Sequence, residues 1–158
     1  MIMMNKEDRK ILHDVCFSVF EQLAFMFGDE LEDDELETGS GFFLRATMGF
    51  RGQMQGSVSI VVPETISTTL AANILGLDDD QEVYPETALD ALRELLNTIT
   101  GRLMTEIFGE EAVIDLSIPV TEQLSHADWE SLVESDEYLA VNIDENPVLI
   151  TLQMQQRQ

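Results

Sequence analysis

Basic residues are scarce: 8 Lys and Arg stand against 31 Asp and Glu in 158 residues, a formal charge of -23. A polyanion cannot release counterions from nucleic-acid phosphates, and an anionic membrane surface repels it, so neither partner is expected. Cysteine is almost absent. Cys16 alone excludes an internal disulfide and suits a reducing, cytoplasmic setting. No apolar run approaches the roughly 18 residues of a membrane span. At the N-terminus His13, Asp14 and Glu21 interrupt any signal-peptide core. What is present is apolar material, 44% of the chain, too much for a disordered acidic tail and enough for one domain or two half-domains sharing a core.

Apolar periodicity predicts a first helix from about Glu7 to Phe27, ended by Gly28 and the acidic stretch Asp29 to Glu37. Phe42 to Phe50 and Met54 to Val62 read as strands around an Arg51-Gly52-Gln53 turn, the second alternating Val58, Ile60 and Val62 with Ser57, Ser59 and Val61. Pro63 opens a short helix at a first helical position, and Gly76 closes it as a left-handed cap. The strongest helix runs from Pro85 to about Phe108. Strands are expected at Ala112 to Ile118, Tyr138 to Asn142 and Val148 to Met154, with a short helix or ordered loop at Thr121 to Glu134 around Trp129.

Phe27-Gly28-Asp29-Glu30 and Phe108-Gly109-Glu110-Glu111 lie 81 positions apart, each ending a long helix. The same offset roughly places the strand after Arg51-Gly52 on the final strand, so one domain of residues 1–158 reads as two weakly related halves, about 1–80 and 81–158. Strand and helix do not alternate regularly. The expected fold is therefore α+β, a largely antiparallel sheet packed with long helices.

On the helix from Pro85, Leu89, Leu92, Leu96, Ile99, Leu103 and Ile107 share a narrow core-facing arc. Asp90, Glu94, Asn97 and Gly101, spaced i, i+4, i+7 and i+11, form one line on the opposite surface. Gly101 sits inside a helix where Ala is better by about 1 kcal/mol, and a closely approaching surface is one reason to tolerate it. Polar residues opposite an apolar stripe are what any amphipathic helix shows, so geometry alone does not make this a site.

The residues carry a resemblance. Asp90, Glu94, Asn97 and then Pro119 after twenty-one intervening residues resemble the signature of the CheC/CheX chemotaxis phosphatases, in which an Asp or Ser, a Glu, an Asn and a later Pro recur, here one residue short. The strand-turn-strand RGQMQGSVSIVV followed by Pro63 and a helix ending in Leu75-Gly76 is also similar to that family, and the likeness spans about Phe42 to Met154. CheC-type members carry the motif on both long helices. Shifting back by 81 places Asp90 on Arg9, Glu94 on His13, Asn97 on Cys16 and Gly101 on Phe20, so a single site per chain, the CheX-like pattern, is implied.

The resemblance implies a phosphatase acting on the aspartyl phosphate of a CheY-like response-regulator receiver, a homodimer joined through its sheets, and no cofactor of its own, the Mg²⁺ being held by the receiver. Asn97 would position the attacking water, since a neutral amide orients it without adding charge beside a phosphoryl group. Glu94 would pair with the receiver's active-site lysine. Asp90 is assigned to helix orientation or receiver contact, and Gly101 to close approach of receiver loops. The alternative is a non-enzymatic receiver-binding or flagellar-switch module of the same fold; a ligand-sensing domain is a third reading. An amide beside that carboxylate favours catalysis over pure docking.

Other residues read as structure. The acidic stretches Asp29 to Glu37 and Asp78 to Asp80 lack the spacing of a calcium loop. His13 and Cys16 are two potential zinc ligands, which is not a site, and Cys16 has no base beside it. Phe17, Phe20, Phe25 and Phe27 read as core or dimer contacts.

Overall fold

The computed structural model describes residues 4–31, 41–78 and 80–156. Helix α1 (Lys6–Ala24) starts at Asn5, whose side chain accepts the Asp8 amide at 2.8 Å, an N-cap that satisfies one orphan donor. It ends three residues earlier than periodicity predicts. Phe25 adopts φ 54°, the Met26 amide returns to the Phe20 carbonyl, and Asn73 donates to the Ala24 carbonyl at 2.8 Å. These bonds close the helix without the glycine.

The next elements are β1 (Gly28–Asp29), β2 (Phe43–Arg51), β3 (Met54–Pro63), α2 (Glu64–Leu75) and α3 (Pro85–Phe108). There follow β4 (Asp115–Leu116), β5 (Val120–Leu124), α4 (His126–Glu134), β6 (Leu139–Ile143) and β7 (Asn146–Gln156). The strands form one antiparallel sheet in the order β1-β6-β7-β3-β2-β4, with β5 also on β2. This is the expected α+β architecture of antiparallel sheet and long helices.

Strand alternation sorts the core. Leu44, Ala46, Met48 and Phe50 of β2, Val58, Ile60 and Val62 of β3, and Val148, Ile150 and Leu152 of β7 join the cluster formed with α1, α2 and α3. The opposite parity, Phe43, Val61 and Leu149, packs with Leu124 and Trp129, the latter stacked on Phe43 at 4.3 Å. Three helices thus cover one face and α4 part of the other. Gly56 lies where β3 and β7 meet; a Cβ there would come within 1.9 Å of the Gln153 carbonyl oxygen.

Several boundaries differ from expectation. Pro63 has an extended ψ of 146° and ends β3 as the N-cap of α2, so the first helical residue is Glu64. Gly76 is the left-handed cap expected, φ 68°. The strand expected over Ala112 to Ile118 shortens to Asp115–Leu116, and β5 occupies part of the segment expected as helix or loop. Only Leu124 of β5 is buried, so its strand character comes from backbone pairing with β2 rather than from apolar alternation. An offset of 81 carries Met54–Pro63 onto residues 135–144, which hold β6 and not the final strand, because α4 lengthens the second connection. The remainder of the acidic stretch, residues 32–37, and residue 79 lie outside the described residues.

Candidate functional site

Helix α3 is buried on a broad side. Leu92, Leu96, Ile99 and Leu103 are fully buried, while Leu89 and Ile107 at the arc's edge are half-buried. Ala88 and Ala91 are also buried, against Ala71 of α2, where small side chains let the two helices close together. The opposite line faces outward: Asp90, Glu94 and Asn97 are exposed and Gly101 half-exposed. A fixed helix holds their spacing, about 6 Å of axial rise from Asp90 to Glu94 and about 4.5 Å from Glu94 to Asn97.

The four positions are not equivalent. Asp90 is committed: Arg93 donates to its Oδ1 at 2.6 Å. The same guanidinium reaches Glu86 at 3.4 Å and donates to the Thr121 hydroxyl on β5 at 3.1 Å. The Glu94 carboxylate and the Asn97 amide have no hydrogen-bond or ion-pair partner among the described residues, although the Glu94 backbone carbonyl accepts from Thr98. A Cβ on Gly101 would meet nothing within 4 Å, so internal packing does not require that glycine.

Asn97 and Gly101 also line a groove of about 550 Å³ between α1 and α3, across which Arg102 donates to Ser18 at 3.3 Å. Pro119 stands half-buried between β4 and β5, two residues before Thr121, so the chain returns beside the N-terminal half of α3. A second cavity, of about 380 Å³, lies near the starts of α2 and α3 and is lined by none of the four candidates. Sequence reasoning missed Arg93 and Thr121. The i, i+3 spacing of Asp90 and Arg93 was the available signal; nothing local marks Thr121.

The positions on α1 that an offset of 81 equates with Asn97 and Gly101, Cys16 and Phe20, are fully buried. Burial pushes the Cys16 thiol up to about 12, which removes its thiolate at neutral pH. His13 bonds Asp14 at 3.1 Å and packs on Phe17. Among the described residues no group of three or more His, Cys, Asp or Glu is arranged to hold a metal ion.

The sequence model of the family described as chemotaxis phosphatase CheX matches residues 44–139, which include β2 from its second residue and all of β3, α2 and α3. The chain belongs to the CheX family. Among curated proteins none matches it. Solved CheX-like structures share its fold. The CheX chemotaxis protein of Desulfovibrio desulfuricans superposes with a TM-score of 0.68 at 16% identity, covering 94% of this chain and 99% of that one. A CheC-like superfamily protein from Shewanella sp. PV-4 gives 0.66 at 21% identity, covering 96% and 99%. The CheX of a CheX–CheY–BeF3–Mg²⁺ complex from Borrelia burgdorferi gives 0.56 at 15%, covering 93% and 97%. Among the described residues of this CheX-family chain, no helix is long and apolar enough to cross a membrane.

Proposed function

We propose that this CheX-family protein hydrolyses the aspartyl phosphate of a CheY-like receiver by laying the exposed line of α3 against the receiver's active site. The observation that carries the reading is the pairing pattern on that line. Glu94 and Asn97, the two side chains with work to do on a partner, lack partners within the described residues, while their neighbour Asp90 is already bonded. That a CheX occurs in a complex with CheY in Borrelia burgdorferi supports the choice of partner.

The chemistry needs little covalent help, because an acyl phosphate is already activated. Mg²⁺ bound to the receiver supplies charge neutralisation at the phosphoryl oxygens. The Asn97 carbonyl oxygen accepts a hydrogen bond from a water molecule and holds it in line with the phosphorus. The water oxygen forms the new P–O bond as the bond to the aspartate oxygen breaks, leaving a carboxylate and inorganic phosphate. Glu94 pairs with the receiver lysine, docking the helix and drawing that lysine from the phosphate. A desolvated pair of this kind costs more to break than a surface ion pair.

The reaction belongs in the cytoplasm with the receiver. The working unit is a homodimer, a reading supported by the open β4–β5 edge, where Val113, Ile118 and Val120 are exposed. Single turnover of a phosphorylated receiver with Mg²⁺ tests the activity. Asn97→Ala lowers the rate of phosphate release by about 100-fold or more, the scale of lost positioning, with the melting temperature unchanged. Phosphate release at the unaltered rate would refute the role of Asn97. Binding by the unaltered protein without hydrolysis would identify a docking module instead.

A further inference from the structure

We propose that Arg93 is a positioning residue that sets the docking register of α3 by neutralising Asp90, leaving Glu94 as the one carboxylate on the line available to the receiver lysine. The inference rests on the proposed docking of α3 and adds the device that selects between two adjacent acids.

The line offers an incoming ammonium group two carboxylates one turn apart, Asp90 and Glu94, both exposed. Only one choice is productive. With the lysine on Glu94, Asn97 lies about 4.5 Å further along the helix axis; with the lysine on Asp90 the amide is displaced by about 6 Å, beyond the tolerance of in-line attack. Nothing in the sequence of the two acids favours Glu94, because Asp and Glu carboxylates attract a lysine comparably. The difference lies in what already holds Asp90.

The Arg93 guanidinium is fixed from three sides: Asp90 Oδ1 at 2.6 Å, the Thr121 hydroxyl at 3.1 Å and Glu86 Oε1 at 3.4 Å. Its planar fork suits several fixed acceptors at once. Arg93 is 31% exposed, Asp90 62% and Glu86 74%. Pairs this exposed add little to stability, so folding alone does not account for a cation held this way. Its effect on the surface is specific: it cancels charge at Asp90 and stops at the turn before Glu94. Thr121, tied to the sheet through the pairing of β5 with β2, anchors the cation so that it cannot swing along the line.

The test separates charge masking from simple tethering of α3 to β5. Arg93→Gln frees Asp90 and is expected to lower kcat about 10-fold or more through misregistered docking, with KM and melting temperature little changed. Adding Asp90→Asn removes the competing acid and is expected to restore kcat to within about 3-fold of the unaltered protein, although the tether to Thr121 is still missing. Arg93→Lys keeps a cation beside Asp90 and is expected to retain most of kcat, which guards against misfolding of the Gln variant. Wild-type kcat in Arg93→Gln, or a double variant as slow as Arg93→Gln, would overturn the proposal. Affinity for a beryllofluoride-loaded receiver gives a second reading. If the unaltered protein binds that receiver but releases no phosphate, the catalytic reading fails, and masking is then judged by whether Asp90→Asn weakens binding only in the Arg93→Gln background. Absence of both binding and hydrolysis overturns both.

Discussion

A residue's type says less here than what already holds it. Asp90 and Glu94 differ by one methylene, yet Arg93 occupies one and leaves the other open. Cys16 makes the same point in the core. It is the one cysteine of the chain and would be the obvious nucleophile by composition, but it is fully buried and its thiol is pushed up to about 12 by loss of solvation. The folded state therefore holds the proton after the unfolded thiol, ordinarily near 8.5, has lost it. Stability is unaffected by this group below about pH 8.5 and falls above it, by about 1.4 kcal/mol per pH unit until the folded value is reached. At pH 8 a thiol reagent should label the native protein negligibly and the urea-unfolded protein fully. Rapid native labelling would show that the helix layer opens around Cys16.

At the scale of elements, burial explains what could be read in advance. Helix α3 was legible to its ends because its long apolar arc, Pro85 and Gly109 all point to one structure. The line from Asp90 to Gly101 followed from that period, and the central strands from alternation that the two-sided core confirms. β5 was not legible: Val120 is exposed, Arg45 and Glu122 pair across its junction with β2, and only Leu124 turns inward. Thr121 was missed with it, since its role depends on a strand that sequence pattern did not reveal. The same edge is where the proposed dimer would form. Val113 at 86%, Ile118 at 85% and Val120 at 68% exposure form an apolar border that an isolated chain leaves in water. Ile118→Asp with Val120→Asp should convert a dimer to a monomer in light scattering, with the far-ultraviolet circular dichroism of the chain unchanged because neither side chain packs in the core. A dimer that survives these changes but dissociates with Phe25→Asp and Phe27→Asp would move the interface to the β1 edge, where those two phenylalanines are exposed.

For the whole molecule, the charge of -23 cannot be the means by which it finds a receiver. The proposed target surrounds its phosphoryl group with acidic side chains and Mg²⁺, so two acidic surfaces must meet. Two of the eight basic residues, Arg93 and Arg102, are on α3 itself, one paired with Asp90 and the other reaching Ser18 across the groove. They lower the negative potential beside the docking line without attracting acids from a distance. In the proposed docking, recognition is carried by contacts within a few ångströms, chiefly Glu94 with the lysine, which close after water has left and are screened far less than exposed charges. Against a receiver surface of the same sign the long-range term is repulsion, and salt weakens it. Raising ionic strength from about 0.05 to about 0.3 M, across which the screening length falls to several ångströms, should leave KM for the phosphorylated receiver within about 3-fold or lower it. The association rate should rise rather than fall. A KM that climbs 10-fold over that range would mean that attraction between opposite charges steers the encounter, and would place a basic surface of the receiver, rather than its active-site lysine, against the acidic face of this protein.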